Sequence, residues 1–267
     1  MRTISAFLKR DLLSETSYRL SFVLSIGSVI FNVLVFYFLS VFIEDVSAPS
    51  LAIDAQDYFS FVLIGVAFSG YFSVGLNGFS RAIRDAQVSG TLEAMLMTPA
   101  SLPAIVVGSA AWSYVFTTFR VVTYLLVGMA ISGLRFTDAN YLAAIAGLCL
   151  SVVSFASIGI IAAAIIMVIK RGNPVTAVFG AIANLVSGVF YPVEVLPAWL
   201  QTVARLVPLT YALSLMRGAL LEGATWSQLS SDFLALAAFC VALFPLSLFI
   251  FRAAVRRARL EGTLTHY

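Results

Sequence analysis

Histidine and cysteine are scarce in this chain, and their scarcity excludes most catalytic and metal-binding chemistry. The 267 residues include one histidine, His266, and two cysteines, Cys149 and Cys240. There is no HExxH string, and no serine or cysteine is placed to form a nucleophile–base pair with a histidine. Both cysteines fall within apolar stretches, so we expect buried thiols rather than a disulfide or a metal pair. The sequence predicts neither a catalytic site nor a metal site.

Lysine is also rare, which excludes a phosphate-binding loop of the Walker A type. Only Lys9 and Lys170 occur, and neither follows a glycine, so no GxxxxGK[ST] string is present. Charged residues make up 11% of the chain, against about 25% in a soluble protein. Every Asp and Glu lies in a loop or at the end of an apolar stretch, whereas ion-coupled carriers keep acids at mid-membrane. An ion-driven carrier is therefore disfavoured.

Long apolar stretches dominate the sequence instead. Hydrophobic residues make up 61% of the chain, and the mean hydropathy is +0.99. Most of the six stretches approach or exceed the roughly 20 residues that a helix needs to cross a bilayer core. We therefore predict an all-α integral membrane protein, a single transmembrane domain over residues 1–267 with six crossings. The predicted crossings are residues 20–43, 58–80, 104–132, 141–169, 174–191 and 233–251.

Positive charge alternates from one side of these stretches to the other. Twelve arginines and lysines flank them on one side, against only Arg135, Arg205 and Arg217 on the other. Because positive charge accumulates in cytoplasmic loops, both termini are predicted to be cytoplasmic. The pI near 9.0 then reflects flanks that face anionic lipid headgroups, not nucleic-acid binding. The twelve are Arg2, Lys9, Arg10, Arg19, Arg81, Arg84, Lys170, Arg171, Arg252, Arg256, Arg257 and Arg259.

The segment before the first crossing, residues 2–18, has apolar residues at helical spacing. Ile4, Phe7 and Leu8 belong to this pattern, with charged residues between the apolar ones. Such a pattern predicts an amphipathic helix lying in the inner membrane interface. The alternative is a partly ordered polar tail.

A second polar segment, residues 81–103, follows the second crossing on the cytoplasmic side. Arg81 and Asp85 are spaced i,i+4, Gly90 interrupts the pattern, and good helix formers resume before two prolines stop it. This indicates a short charged helix parallel to the membrane, which a cytoplasmic partner would contact. The alternative is a solvated connector.

On the outer side, residues 192–232 form a third unusual segment. It holds Pro192, Pro197 and Pro208, aromatic residues such as Trp199, and apolar stretches too short to cross. Short apolar helices broken by proline and rich in Trp and Tyr are typical of re-entrant or interfacial helices.

Arg120 lies well inside the third predicted crossing. A charge at that depth costs several kcal/mol unless it is paired or hydrated, so it marks a candidate functional interior. The alternative is that the helix tilts and the side chain reaches the interface. Tyr71 and Phe72, in the second crossing, are candidates for lining a path, or are ordinary packing aromatics.

Two stretches of the chain resemble the permease subunits of ABC-2-type ATP-binding cassette exporters. SGTLEAMLMTPAS, residues 89–101, is similar to the family's loop between the second and third crossings. SGVFYPVEVLPAWLQTVARLVPLTYALSLMRGALLEG, residues 187–223, is similar to its signature between the fifth and sixth. The wording PLTYAL…MRG is closer to drug-resistance and lipo-oligosaccharide export permeases than to most O-antigen permeases.

The resemblance implies a half-transporter without an ATPase site of its own. Two permease copies, identical or related, would each recruit a separate ATPase chain that binds ATP and Mg²⁺, while the permease binds no cofactor. The implied location is a bacterial cell membrane, and the implied cargo is amphipathic: a drug, a lipid or a lipid-linked glycan. The alternatives are an O-antigen or teichoic-acid type of polysaccharide permease, and a membrane scaffold that transports nothing. Fold alone does not decide among these cargoes.

The resemblance also assigns roles to residues. The residues expected to couple to the ATPase are Arg81, Arg84, Asp85, Gly90, Leu92, Glu93 and Met97. The residues expected at the outer gate are Tyr191, Pro192, Glu194, Pro197, Trp199, Arg205, Pro208, Tyr211 and Arg217. The residues considered for the translocation path are Arg120, Tyr71 and Phe72.

The predicted orientation is tested by cysteine labelling on a background lacking Cys149 and Cys240. Asp54→Cys and Trp226→Cys should react with an impermeant thiol reagent added to intact cells, because charge places both outside. Gly172→Cys should react only after the membrane is opened. Labelling of Gly172→Cys in intact cells would contradict the orientation.

Overall fold

The regular secondary structure of the described part of the chain is all helical. The computed structural model describes residues 19–46, 55–88, 102–134, 136–169 and 174–260, and these ranges form eight α-helices and no strand. The predicted all-α membrane fold is therefore confirmed. The helices are α1 (Arg19–Val46), α2 (Ala55–Val88), α3 (Leu102–Ser132), α4 (Tyr141–Ile169), α5 (Pro174–Val186), α6 (Ala198–Ala204), α7 (Pro208–Leu220) and α8 (Ser230–Leu260), with a 3₁₀ turn at Val193–Val195.

Five of these helices, α1, α2, α3, α4 and α8, are long and apolar enough to cross a membrane. The protein is thus a multi-pass membrane protein, and five of the six predicted crossings correspond to spanning helices. The prediction at residues 141–169 coincides with α4. The apolar windows are Phe22–Ile43, Asp57–Arg81, Ala111–Ser132, Tyr141–Ile166 and Ser230–Ala254.

The remaining prediction, a crossing at residues 174–191, is wrong at its C-terminal end. α5 has 13 residues and ends at Val186, so it is about 20 Å long where a bilayer core is about 30 Å thick. The helix ends there because the chain turns at Gly188, whose φ of 79° lies in the left-handed region that glycine adopts at helix ends. Residues 170–173 lie outside the described part of the chain.

The predicted charged helix beyond the second crossing is not separate from that crossing. α2 continues past Arg81 to Val88 without interruption. No glycine or proline occurs between these two residues, so nothing in the sequence ends the helix there. The rest of that predicted helix, and the predicted amphipathic helix at residues 2–18, lie outside the described residues.

α2 is the centre of the bundle. Its spanning window is 67% buried, against 17% for α1 and 11% for α8. Phe59, Ile64 and Phe72 are among its fully buried side chains. α2 packs against α1, α3 and α4, and α8 packs mainly against α4. The other spanning helices therefore take their positions from α2 and α4.

α2 and α4 approach each other closely at a pair of glycines. A Cβ added at Gly159 would run into the carbonyl group of Gly75, and one added at Gly75 would meet Phe155. Small residues at a crossing let helix backbones come together in a membrane, where association depends on such packing. These glycines therefore set the distance between the two central helices.

The connection between α3 and α4 is tied to the end of α7. The Asn140 amide donates to the Ala219 carbonyl at 2.8 Å, and its side-chain Nδ2 donates to the Ala224 carbonyl at 3.1 Å. The Asn140 Oδ1 accepts from the Ala143 amide and so caps α4. The short helices α6 and α7 thus lie at the same end of the bundle as the α3–α4 connection, as the charge pattern requires.

The glycine contact generates a prediction about stability. Gly159→Ala should destabilise the protein by about 1–3 kcal/mol, because the added methyl forces the central helices apart. Thermal unfolding in detergent measures the effect. The control is Gly27→Ala in α1, where the added Cβ would meet no side chain of the described residues within 4 Å. An unchanged melting temperature for Gly159→Ala would show that the crossing is not tightly constrained.

Candidate functional site

Among the charged side chains of the predicted outer gate, Arg217 makes the most hydrogen bonds within the described residues. It lies in the last turn of α7, a helix that begins at Pro208, where a missing amide hydrogen costs nothing. Most residues around it on α7 are buried against α2, α4 and α8. The guanidinium consequently points into the bundle rather than away from it.

The Arg217 guanidinium donates hydrogen bonds to three backbone carbonyls from two other elements. Its Nε and Nη2 donate to the Phe61 carbonyl of α2 at 3.2 and 3.1 Å. Nη2 also donates to the carbonyls of Gly188 and Val189, at 2.7 and 3.4 Å. Hydrogen bonds from a charged donor are about twice as strong as neutral ones. Arg217 therefore ties α7 and the turn after α5 to the central helix α2.

Phe61 holds the same guanidinium from a second side. The Arg217 Cζ lies 3.4 Å from the centroid of the Phe61 ring, well within the distance of a cation–π contact. The Phe61 ring lies over the guanidinium, while the N–H groups of the guanidinium donate to the carbonyls. This combination suits arginine and not lysine, which lacks both the planar face and the fork of donors.

Gly65 provides the space for this arrangement. It lies four residues after Phe61, on the same face of α2. A Cβ added at Gly65 would lie 2.8 Å from the Arg217 Nη2 and would collide with the Val189 carbonyl oxygen. The site therefore needs glycine at this position for steric reasons.

The site keeps its charge at neutral pH. Burial lowers the pKa of Arg217, on α7 and outside the five spanning helices, to about 9, and the negative charge of Glu194 opposes that shift. Because this pKa is still above 7, the guanidinium is protonated and its hydrogen bonds to the three carbonyls persist. Glu194 itself is exposed in the 3₁₀ turn.

Side chains also donate to main-chain carbonyls at the ends of these short helices. Pro192 and Pro197 are the N-caps of the 3₁₀ turn and of α6, so the predicted breaks at proline are confirmed. The Tyr191 hydroxyl donates to the Leu185 carbonyl at 2.8 Å, which covers the end of α5. Similar bonds run from Gln201 Nε2 to the Leu196 carbonyl, from the Tyr211 hydroxyl to the Arg205 carbonyl and from Thr210 Oγ1 to the Ala204 carbonyl.

Eight of the nine predicted gate residues thus divide into two groups, and the ninth, Pro192, is half-buried at the start of the 3₁₀ turn. Tyr191, Pro208, Tyr211 and Arg217 are buried or half-buried, and the three with polar side chains donate to main-chain carbonyls. Glu194, Pro197, Trp199 and Arg205 are exposed, and Trp199 keeps 68% of its surface accessible.

Arg120 lies in the middle of the α3 spanning window and is half-buried. It shares a side-chain hydrogen bond with Tyr124, one helical turn further along. Its Nε is buried and has no hydrogen-bond partner among the described residues. A charged donor in this state remains able to bind a polar group at membrane depth.

Tyr71 and Phe72, the other path candidates, are core residues of the bundle. Tyr71 donates to Thr118 Oγ1 of α3 at 2.8 Å. Phe72 is fully buried, edge-on to Phe155 of α4 and near Phe179 of α5. The structure thus brings Tyr71 to Thr118 of α3, whereas Phe72 points toward α4 and α5.

The predicted ATPase-coupling residues are described only in part. Arg81 is exposed at the end of the α2 spanning window, and Arg84 and Asp85 lie in the continuing helix. Gly90, Leu92, Glu93 and Met97 lie outside the described residues. Their role stays a prediction.

Sequence analysis missed the partners of Arg217. Its acceptors are main-chain carbonyls, one of them 156 residues away along the chain, and any residue type supplies a carbonyl. The one available signal was Gly65, a glycine within an apolar stretch, but Gly70, Gly75 and Gly78 lie in the same helix.

Comparison with known proteins gives one assignment. The family described as ABC-2 type transporter matches residues 2–221, which is most of the chain. No curated protein matches the chain. The matched region includes α1 to α7 and therefore both Arg120 and Arg217.

The partnerless nitrogen of Arg120 generates a prediction. If Arg120 contacts cargo, Arg120→Leu should leave expression near normal and lower transport by roughly tenfold, the effect of losing one charge-assisted hydrogen bond. The matched control is Arg256→Leu, an exposed cation of α8 beyond its apolar window. Transport at the parent rate, with higher stability, would instead show a side chain that only reaches toward the interface.

Proposed function

The chain belongs to the ABC-2 type transporter family, and on that premise we propose that it is the permease subunit of an exporter for amphipathic cargo. The family makes it an ABC-type permease with a partnering ATPase subunit. The proposed cargo is a drug, a lipid or a lipid-linked glycan carried out of the cytoplasm. Two copies of the permease would form the path, each with a separate ATPase chain that binds ATP and Mg²⁺.

The length of α2 is the observation that carries this proposal. With 34 residues it is about 50 Å long, and a bilayer core takes up only about 30 Å of that length. The end with Arg84 and Asp85 therefore extends beyond the apolar window, and in the sequence the segment that contains Glu93 follows this end. A rigid helix of this kind is suited to carry movement of an ATPase into the membrane.

At the opposite end of the bundle, the short helices provide a candidate exit. Their inward residues are fixed by hydrogen bonds, while Glu194 and Arg205 are exposed and suited to polar parts of the cargo or to water. Trp199 would sit at the membrane interface, where its amphipathic ring is favoured. ATP-driven movement of packed helices would then open the path toward this end.

Arg120 supports an amphipathic cargo. It places a positive charge with an unused donor at mid-span, bonded to the side chain of Tyr124 on the same helix. A molecule with a polar or anionic group on an apolar body would bind such a site better than a uniformly apolar molecule, which would leave the charge unpaired.

Reconstitution tests the proposal. The permease and its ATPase chain, placed together in liposomes, should move a fluorescently labelled anionic lipid across the bilayer when ATP is added on the ATPase side. Neither chain alone should do so, because the permease lacks a Walker A loop. ATP-independent movement by the permease alone, driven by an ion gradient, would contradict the proposal.

Glu93 provides the corresponding prediction. Glu93→Ala should weaken the complex with the ATPase about fivefold or more, the effect of losing an interface contact worth about 1 kcal/mol, and should lower transport while leaving membrane insertion intact. Glu222→Ala, an exposed acid just beyond α7, is the control. Parent-like binding and transport in both Glu93→Ala and Glu93→Lys would remove Glu93 from the contact.

A further inference from the structure

α5 is weakly packed along most of its length. Val178, Phe179, Ile182 and Leu185 keep 40–59% of their surfaces exposed. The helix contacts α2, α6 and α7 at only a few points. Few buried apolar contacts are what identify a segment of low local stability, and moving elements are drawn from such segments. α5 is therefore suited to move as a unit relative to the described bundle.

The turn after α5 is, in contrast, firmly held. Ser187, Gly188 and Val189 are all buried. The carbonyls of Gly188 and Val189 accept hydrogen bonds from Arg217, and the Tyr191 hydroxyl holds the Leu185 carbonyl. The C-terminal end of α5 is thus fixed, while the outward face of the helix is exposed.

Gly188 lies at the junction between these two parts. Its φ of 79° is in a region that other residues rarely adopt. A glycine at the end of a helix has the freedom to change φ and ψ as the helix changes direction, and hinges are often built from a few such terminal residues. The geometry therefore combines a helix with few contacts, a glycine able to change its backbone angles, and a turn held by hydrogen bonds.

The group that fixes the turn is itself anchored to the centre of the bundle. Arg217 donates to the Phe61 carbonyl of α2 as well as to the turn. On the same helix as Arg217, Leu215 packs over Gly147 of α4. The guanidinium thus ties the turn to α2, and the helix that carries it also packs against α4.

We propose that Arg217 is a positioning residue that fixes the pivot of α5, so that this helix turns about Gly188 while the turn at Gly188–Val189 stays attached to α2. The inference rests on the proposed transport function for its role in the cycle. Because α2 also extends toward the predicted ATPase contact, movement of α2 would carry the pivot with it. α5 would then change its angle to the bundle instead of losing its connection.

Two variants remove the pivot in different ways. Arg217→Lys keeps the charge but has no fork of donors to reach three carbonyls. Gly65→Ala leaves Arg217 unchanged but places a Cβ against its Nη2 and the Val189 carbonyl. The controls are Arg256→Lys, an exposed cation of α8, and Gly70→Ala, whose added Cβ would meet only Thr117 Cγ2 at 3.4 Å.

The first experiment needs no ATPase. Cysteines that carry spin labels are introduced in full-length permease lacking Cys149 and Cys240. One pair is Val195→Cys with Ser73→Cys, and the other is Val178→Cys with Ser73→Cys; all three positions are exposed. The Val195 pair, beyond the pivot, should give a narrow distance distribution in the parent and in the control variants, and a broad one in Arg217→Lys and Gly65→Ala. An unchanged Val195 distribution in both pivot variants would overturn the proposal.

The second experiment uses the complex with its ATPase. On addition of ATP, the Val178–Ser73 distance should change while the Val195–Ser73 distance stays constant. Arg217→Lys and Gly65→Ala should retain ATP hydrolysis but lose transport by at least about tenfold. A simple folding defect would instead lower the amount of complex and its ATP hydrolysis together, and so would count against a pivot.

The outcomes separate the two proposals. A parent complex without ATP-driven transport would contradict the proposed function, while the spin-label distributions of the permease alone would still decide whether Arg217 holds the turn. A parent that transports, with Arg217→Lys transporting at the same rate or with both label pairs moving equally, would overturn the pivot alone.

Discussion

Where a helix ends inside an apolar bundle, its last main-chain carbonyls need another hydrogen-bond donor, because neither lipid nor hydrocarbon side chains can supply one. In this protein the requirement is concentrated between the end of α5 and the start of α7, where three prolines and a glycine interrupt the helices. Each break releases carbonyls, and Tyr191, Gln201, Thr210, Tyr211 and Arg217 supply the donors. The chain can therefore end a helix early and still give these main-chain carbonyls hydrogen-bond donors. Arg217 is the strongest of these donors, and its position requires Gly65 on α2.

The same requirement explains why the bundle has a fixed centre and a looser periphery. Where the helices are regular, their polar groups are satisfied internally and packing depends on shape, so glycines set the closest approach, as at Gly75 and Gly159. Where they are interrupted, side chains must reach across to neighbouring elements, and these bonds fix the interrupted segment to the centre. α5 combines the two situations. Hydrogen bonds hold its C-terminal end to other elements, whereas its outward face is exposed.

Sequence analysis predicted the parts of this structure that depend on local composition. The coincidence of α4 with residues 141–169, and the breaks at Pro192, Pro197 and Pro208, follow from apolar length and from the missing amide hydrogen of proline. The end of α5 could not be placed, because the sequence stays apolar to Tyr191 and the break depends on the φ of Gly188. Arg120 was recognisable as a charge at mid-span, whereas the contacts of Arg217 join main-chain atoms far apart in sequence and leave no pattern in residue types.

α2 connects the two ends of the bundle, so movement at one end of this helix reaches the other. Phe61 and Arg81 belong to the same uninterrupted helix, and about 30 Å separates them along its axis. The carbonyl that receives Arg217 and the exposed arginine near the predicted ATPase contact thus move together unless α2 bends. A proline or glycine kink would weaken that connection, but two glycines of α2 between these positions pack closely against other elements, Gly65 against Val189 and Arg217 and Gly75 against Phe155. The residues that allow α2 to approach its neighbours are therefore also the ones that prevent it from bending independently of them.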